Sequence, residues 1–149
     1  MSDAHDANAE KERVRELVRG ADVPFWKLVG ITADEESAEV GHVRLHLPMR
    51  PELGTRFPDV MHGGAISTLI DAAAATCSST LQREGDEWSG LVTTDLNVSY
   101  LNAAQSDLVA EARAVRGGRT IAFIQVEVHD AAGKHVATGR VTYLILRPR

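Results

Sequence analysis

The chain has 149 residues, and the ones suited to chemistry gather at 62–77, HGGAISTLIDAAAATC, where a histidine and two glycines lead into a helical pattern carrying one carboxylate. If a helix starts near Gly63, its first turn holds backbone N–H groups without intrahelical partners, able to bind a carbonyl oxygen or an oxyanion. Gly63 and Gly64 lack a Cβ, so a ligand can approach this backbone closely; a simple tight turn explains the same pair. Asp71 follows Ser67 and Thr68 at helical spacing, and nothing basic stands where it would pair with the acid. It is either a solvated carboxylate or part of an interface. The run Ala72, Ala73, Ala74 and Ala75 favours an interface, because alanines admit close approach of another backbone or a partner subunit.

Other reactive side chains yield less. Cys77, the single cysteine, falls on the apolar stripe Ile66, Leu69, Ile70 and Ala73, which makes it a small buried hydrophobe and the compartment a reducing, cytoplasmic one. His42 and His46 would chelate on a helix, but on a strand they stand about 13 Å apart and cannot share an ion. His129 and His135 flank one turn as solvent-facing or cross-strand neighbours. No metal ion is expected.

The elements that must position these residues follow from periodicity. Residues 9–20 place Val14, Leu17 and Val18 on one side of a short charged helix ended by Gly20, with residues 1–8 frayed. Between Trp26 and Leu47 two strand-like runs flank an acidic turn at residues 34–37, and Val43, Leu45 and Leu47 alternate. Residues 48–61 carry three prolines and read as a surface loop. A helix from Gly63 to about Arg83 precedes four β-rich runs, expected as an antiparallel meander with turns at Gly117-Gly118 and at residues 130–133. One long helix against such a sheet is an α+β layer architecture. The formal net charge of -5 gives no footprint for nucleic acid or an anionic membrane, and no run is long and apolar enough to span a bilayer.

The runs HGGAISTLIDAAAA, TTDLNVSYLNAA and VRGGRTIAFIQVEVHDAAGKHVATGR, taken in order, resemble the hotdog-fold acyl-CoA thioesterases of the phenylacetate-pathway type and their mammalian mitochondrial relatives. The resemblance covers about residues 25–147, leaving 1–24 as an extension with a short helix and 25–149 as the hotdog domain. It implies an antiparallel sheet wrapped around one central helix, and hydrolysis of a CoA thioester with no cofactor beyond the CoA of the substrate. It further implies that the Gly63 N–H receives the thioester oxygen, that Asp71 attacks or activates water, and that Thr93 orients the water. His62 is expected to be a structural or orienting residue and not a base, since the family places its acid elsewhere. Arg116, Gly118, Arg119 and Thr120 match a turn used near the nucleotide end of CoA. Arg56 departs from the family pattern, where an amide is usual, and leaves the acyl preference open. Eight helical residues separate Gly63 from Asp71 by about 12 Å, too far to act on one carbon, so these roles require two copies of the chain. The family likeness extends this to a dimer of dimers. A non-catalytic acyl-CoA sensor and a hotdog dehydratase or hydratase are the rival readings.

Overall fold

The computed structural model describes the backbone of residues 2–149 and the side chains of residues 4–149. In chain order the elements are α1 (Ser2–Arg19), α2 (Pro24–Val29), β1 (Thr32–Ala33), β2 (His42–Leu47), a single 3-10 turn (Pro51–Leu53), α3 (Gly63–Ser79), β3 (Gly90–Tyr100), β4 (Leu108–Gly117), β5 (Ile121–Asp130) and β6 (His135–Leu146). The six strands form one antiparallel sheet in the order β1-β2-β4-β5-β6-β3. Its inner face wraps α3. Among the described residues no helix is long and apolar enough to cross a membrane.

Helix α3 is seated by the stripe expected of it. Ile66, Leu69, Ile70, Ala73 and Cys77 are all buried, facing inward residues such as Leu45, Ala110, Val126 and Val141. Each large side chain withdrawn this way stabilises the fold by roughly 1.5–3 kcal/mol. Ala72 and Ala74 are fully buried as well, so this part of the alanine run packs within its own chain and is not the subunit interface expected of it; only Ala75 stays partly open. The helix packs tightly on the sheet over Gly139 of β6, where an added Cβ would stand 2.5 Å from Ile70 Cγ2. Gly139→Val is therefore expected to destabilise the protein by about 1–3 kcal/mol, read as a lowered midpoint in thermal or denaturant unfolding.

Four expectations are corrected. The amino-terminal helix begins at Ser2, taking in residues expected to fray, and it docks through Val14 and Val18. The run read as a first strand opens as α2, where Pro24 suits the first helical turn and Gly30 ends it with φ 97°; only Thr32–Ala33 remain a strand, paired antiparallel with β2 as expected. Helix α3 stops at Ser79, before Arg83, where Ser79 and Thr80 hydroxyls turn back to the carbonyls of Thr76 and Cys77. Finally, β3 to β6 are not a four-stranded meander. β3 and β4 are joined by residues 101–107, too long for a tight turn and tied down by Met61 N–H donating to the Ala104 carbonyl; β3 instead pairs with β6 at the sheet edge, and β2 takes the free side of β4.

Burial pushes the Cys77 thiol up from 9.0 to about 12. An unfolded thiol ionises near its ordinary value while the folded one stays protonated, so this contribution to stability is complete below about pH 9 and is lost as pH rises toward the folded value. Unfolding midpoints should fall across that window, and Cys77→Ala should flatten the decline.

Candidate active site

The start of α3 is built by its own sequence. His62 is the N-cap, with extended backbone (φ -65°, ψ 137°), and its ring Nδ1 accepts the Gly64 N–H at 2.8 Å. Its carbonyl takes the N–H groups of Ala65 and Ile66. His62 thus orients the helix terminus, and the Gly64 donor is already used. Among the described residues nothing accepts from the Gly63 N–H. The ring of Tyr100, at the end of β3, lies over Gly63: an added Cβ would meet its Cζ at 3.2 Å. The Tyr100 hydroxyl donates to the Gly63 carbonyl at 2.9 Å and meets Ser67 Oγ. A cavity of about 380 Å³ opens here, lined by Val60, Met61, Gly63, Ile66 and Tyr100.

Two turns along α3, Asp71 is half-buried. Thr93 Oγ1 donates to its Oδ1 at 2.9 Å, and the Tyr143 hydroxyl donates to the same oxygen at 2.5 Å. Thr93 and Tyr143 are direct partners across β3 and β6, immediately before a β-bulge at Thr94. The acid is therefore not solvated at large, and among the described residues it has no ion-pair partner; two neutral donors from the sheet hold it. Burial, followed by the bond to Asp71, pushes the Tyr143 phenol well above its ordinary range. Sequence reasoning missed Tyr143. The available signal was its place in the inward alternation Val141, Tyr143, Ile145, where a tyrosine hydroxyl has to find a buried acceptor.

The remaining candidates lie apart. Arg56 is exposed on the loop before α3, its guanidinium 4.9 Å from the Phe57 ring centroid, and it does not line the cavity at Gly63. Gly118 and Arg119 line a larger cavity, about 1350 Å³, at the far end of α3, together with Arg13, Arg83, Trp88 and Arg147. Arg116 is exposed on β4 opposite Phe123, and the Thr120 carbonyl accepts the Ile145 N–H at 2.8 Å. His129 and His135 stack as cross-strand neighbours with ring centroids 4.7 Å apart, and His135 meets Glu127 at 2.6 Å.

This hotdog arrangement agrees with comparisons to known proteins. A family model described as "Thioesterase superfamily" matches residues 59–137. An esterase-named protein of Halobacterium salinarum is 36% identical over 121 residues, covering 75% of this chain and 79% of that one. The medium/long-chain acyl-CoA thioesterase YigI of Escherichia coli K12 is 28% identical over 135 residues, covering 83% of this chain and 86% of that one. The crystal structure of a thioesterase family protein from Silicibacter pomeroyi superposes with a TM-score of 0.80 at 25% identity, over 91% of this chain and 99% of that one. The chain belongs to the thioesterase superfamily.

Proposed function

We propose that the protein hydrolyses acyl-CoA thioesters to a free acid and CoA, at sites shared between two copies of the chain. The observation that carries this reading is the Asp71 carboxylate, set mid-helix without a cation among the described residues and held by Thr93 and Tyr143. In the proposed reaction the thioester oxygen accepts the Gly63 N–H, and Asp71 of the partner subunit either takes a proton from a water whose oxygen attacks the carbonyl carbon, or itself attacks that carbon to form a mixed anhydride that water then hydrolyses to the free acid, restoring the carboxylate. The tetrahedral oxyanion is stabilised by the same N–H; its collapse breaks the C–S bond and releases the thiolate, which takes up a proton. His62 keeps the helix start in place. Thr93 holds the acid and, in this reading, also orients the water.

A shared site has structural support. Gly63 and Asp71 lie on one helix about 12 Å apart. β3 is a long edge strand, paired among the described residues only with β6, and it exposes Val92, Leu96 and Tyr100. An exposed apolar edge of this kind invites pairing with another strand. If two β3 edges pair antiparallel about Asn97, the bulge at Thr94 brings Tyr100 of one copy opposite the partner's Thr93. That register carries the Gly63 of one subunit toward Asp71 of the partner subunit. A second association into a dimer of dimers is consistent with the outer sheet face, where Val115 is 71% exposed beside Ile121 and Phe123.

Around the larger cavity Arg83 and Arg119 offer guanidinium groups for the phosphates of CoA, in a lining that also carries Asp6, Glu84, and the acids Glu10 and Asp86 that face Arg13 and Arg147; Gly118 shapes the turn, with Arg116 and Thr120 beside it. Medium-chain aliphatic and aryl acyl groups are the first to test, the former from the similarity to YigI. A cytoplasmic setting goes with the single buried thiol. The decisive experiment is release of free thiol from a panel of short, medium, long and aryl acyl-CoA esters. Turnover of at least one class is expected; tight binding without turnover would make the protein a sensor, and hydration of an enoyl ester a hydratase.

A further inference from the structure

We propose that Tyr143 is a positioning residue which, with Thr93, fastens Oδ1 of Asp71 and leaves Oδ2 as the oxygen that acts on the substrate. This rests on the hydrolytic reading above and specifies which carboxylate oxygen performs it. Both hydroxyl donors converge on Oδ1, at 2.9 Å and 2.5 Å, and among the described residues no side chain or backbone group binds Oδ2.

The terminal torsion of an aspartate is broad and roughly two-fold, so an unrestrained carboxylate exchanges its oxygens. Two donors on one oxygen remove that freedom. They come from a cross-strand pair, so the sheet sets their spacing, and the bulge following Thr93 bends β3 at that point. The approach of α3 over Gly139 brings the acid within reach of β6.

A role confined to satisfying the phenol would not require the carboxylate. The Tyr143 hydroxyl also lies 3.0 Å from the Asp71 backbone carbonyl, an acceptor that would meet its need alone, yet its shorter contact is to Oδ1. The side chain is buried in a row that is otherwise aliphatic, where phenylalanine would pack equally well. A hydroxyl in that row is explained by what it holds.

The test is steady-state hydrolysis by Tyr143→Phe, with Thr93→Val as a second variant and Thr93→Ser as its conservative rescue. Misplacing a reacting group by about 1 Å costs on the order of 100-fold, so kcat should fall by roughly 10- to 100-fold in Tyr143→Phe and Thr93→Val while KM stays within about twofold. Thr93→Ser should recover most of the loss. Unchanged kcat in Tyr143→Phe, or losses of kcat that merely follow losses of thermal stability in both variants, would overturn the proposal. Asp71→Asn serves as the control: if it is inactive while Tyr143→Phe is unimpaired, only this inference falls, whereas full turnover by Asp71→Asn removes the hydrolytic reading and this one with it.

Discussion

Asp71→Asn should leave a folded protein that still binds acyl-CoA esters but hydrolyses them about 1,000-fold more slowly. The amide has the size of the carboxylate, and its oxygen can accept from Thr93 and Tyr143 where Oδ1 does now. What it lacks is the negative charge, without which it can neither take a proton from water nor attack a carbonyl. General acid–base groups contribute on the order of 100- to 10,000-fold, which frames the expected loss. Thiol release reads the turnover, fluorescence or calorimetric titration reads ester binding, and thermal unfolding checks the fold. Near wild-type hydrolysis across the acyl panel would remove Asp71 from the reaction.

The second large effect is expected from Gly63→Pro. Gly63 is the first residue of α3, a position where proline's fixed φ fits and where its missing N–H breaks no helical hydrogen bond. His62 already has the extended backbone that a following proline demands. The substitution therefore deletes the one donor proposed for the thioester oxygen. Loss of a single such donor costs about 2.7–4 kcal/mol of barrier, a 100- to 1,000-fold drop in kcat. Crowding needs its own control, since a Cβ here would stand 3.2 Å from Tyr100, a half-exposed ring able to shift slightly. Gly63→Ala introduces the same contact and retains the N–H, so the difference between the two variants reports the donor alone. Equal activity in both would end the oxyanion role of Gly63.

These effects also mark what the sequence could convey. The stripe from Ile66 to Cys77 was legible because α3 repeats its apolar residues at helical spacing against an inward face that alternates at Val43, Leu45 and Leu47. Both glycine turns were legible, since local backbone chemistry decides them. α2 was not, because six residues, apolar but for Lys27, are too few to show a period; only Pro24 and Gly30 at its ends announce it. The place of β3 beside β6 depends on pairing between segments some forty residues apart, which alternation within either strand cannot register. Within the site, Asp71 and Thr93 emerged from motif likeness, whereas Tyr143 did not, because its role exists only through that pairing. The alanine run misled for a related reason: small residues suit close packing, but the partner proved to be the chain's own sheet for Ala72, Ala73 and Ala74.

The central claim is that Gly63 and Asp71 reach a common carbonyl only from different subunits, and complementation tests it most directly. Asp71→Asn and Gly63→Pro chains, carrying different affinity tags, are produced together and the mixed dimer is purified through both. One of its two sites then holds an intact donor and an intact acid, so the mixed dimer should show about half the wild-type activity, far above either parent. A mixed dimer no more active than its parents would contradict the account.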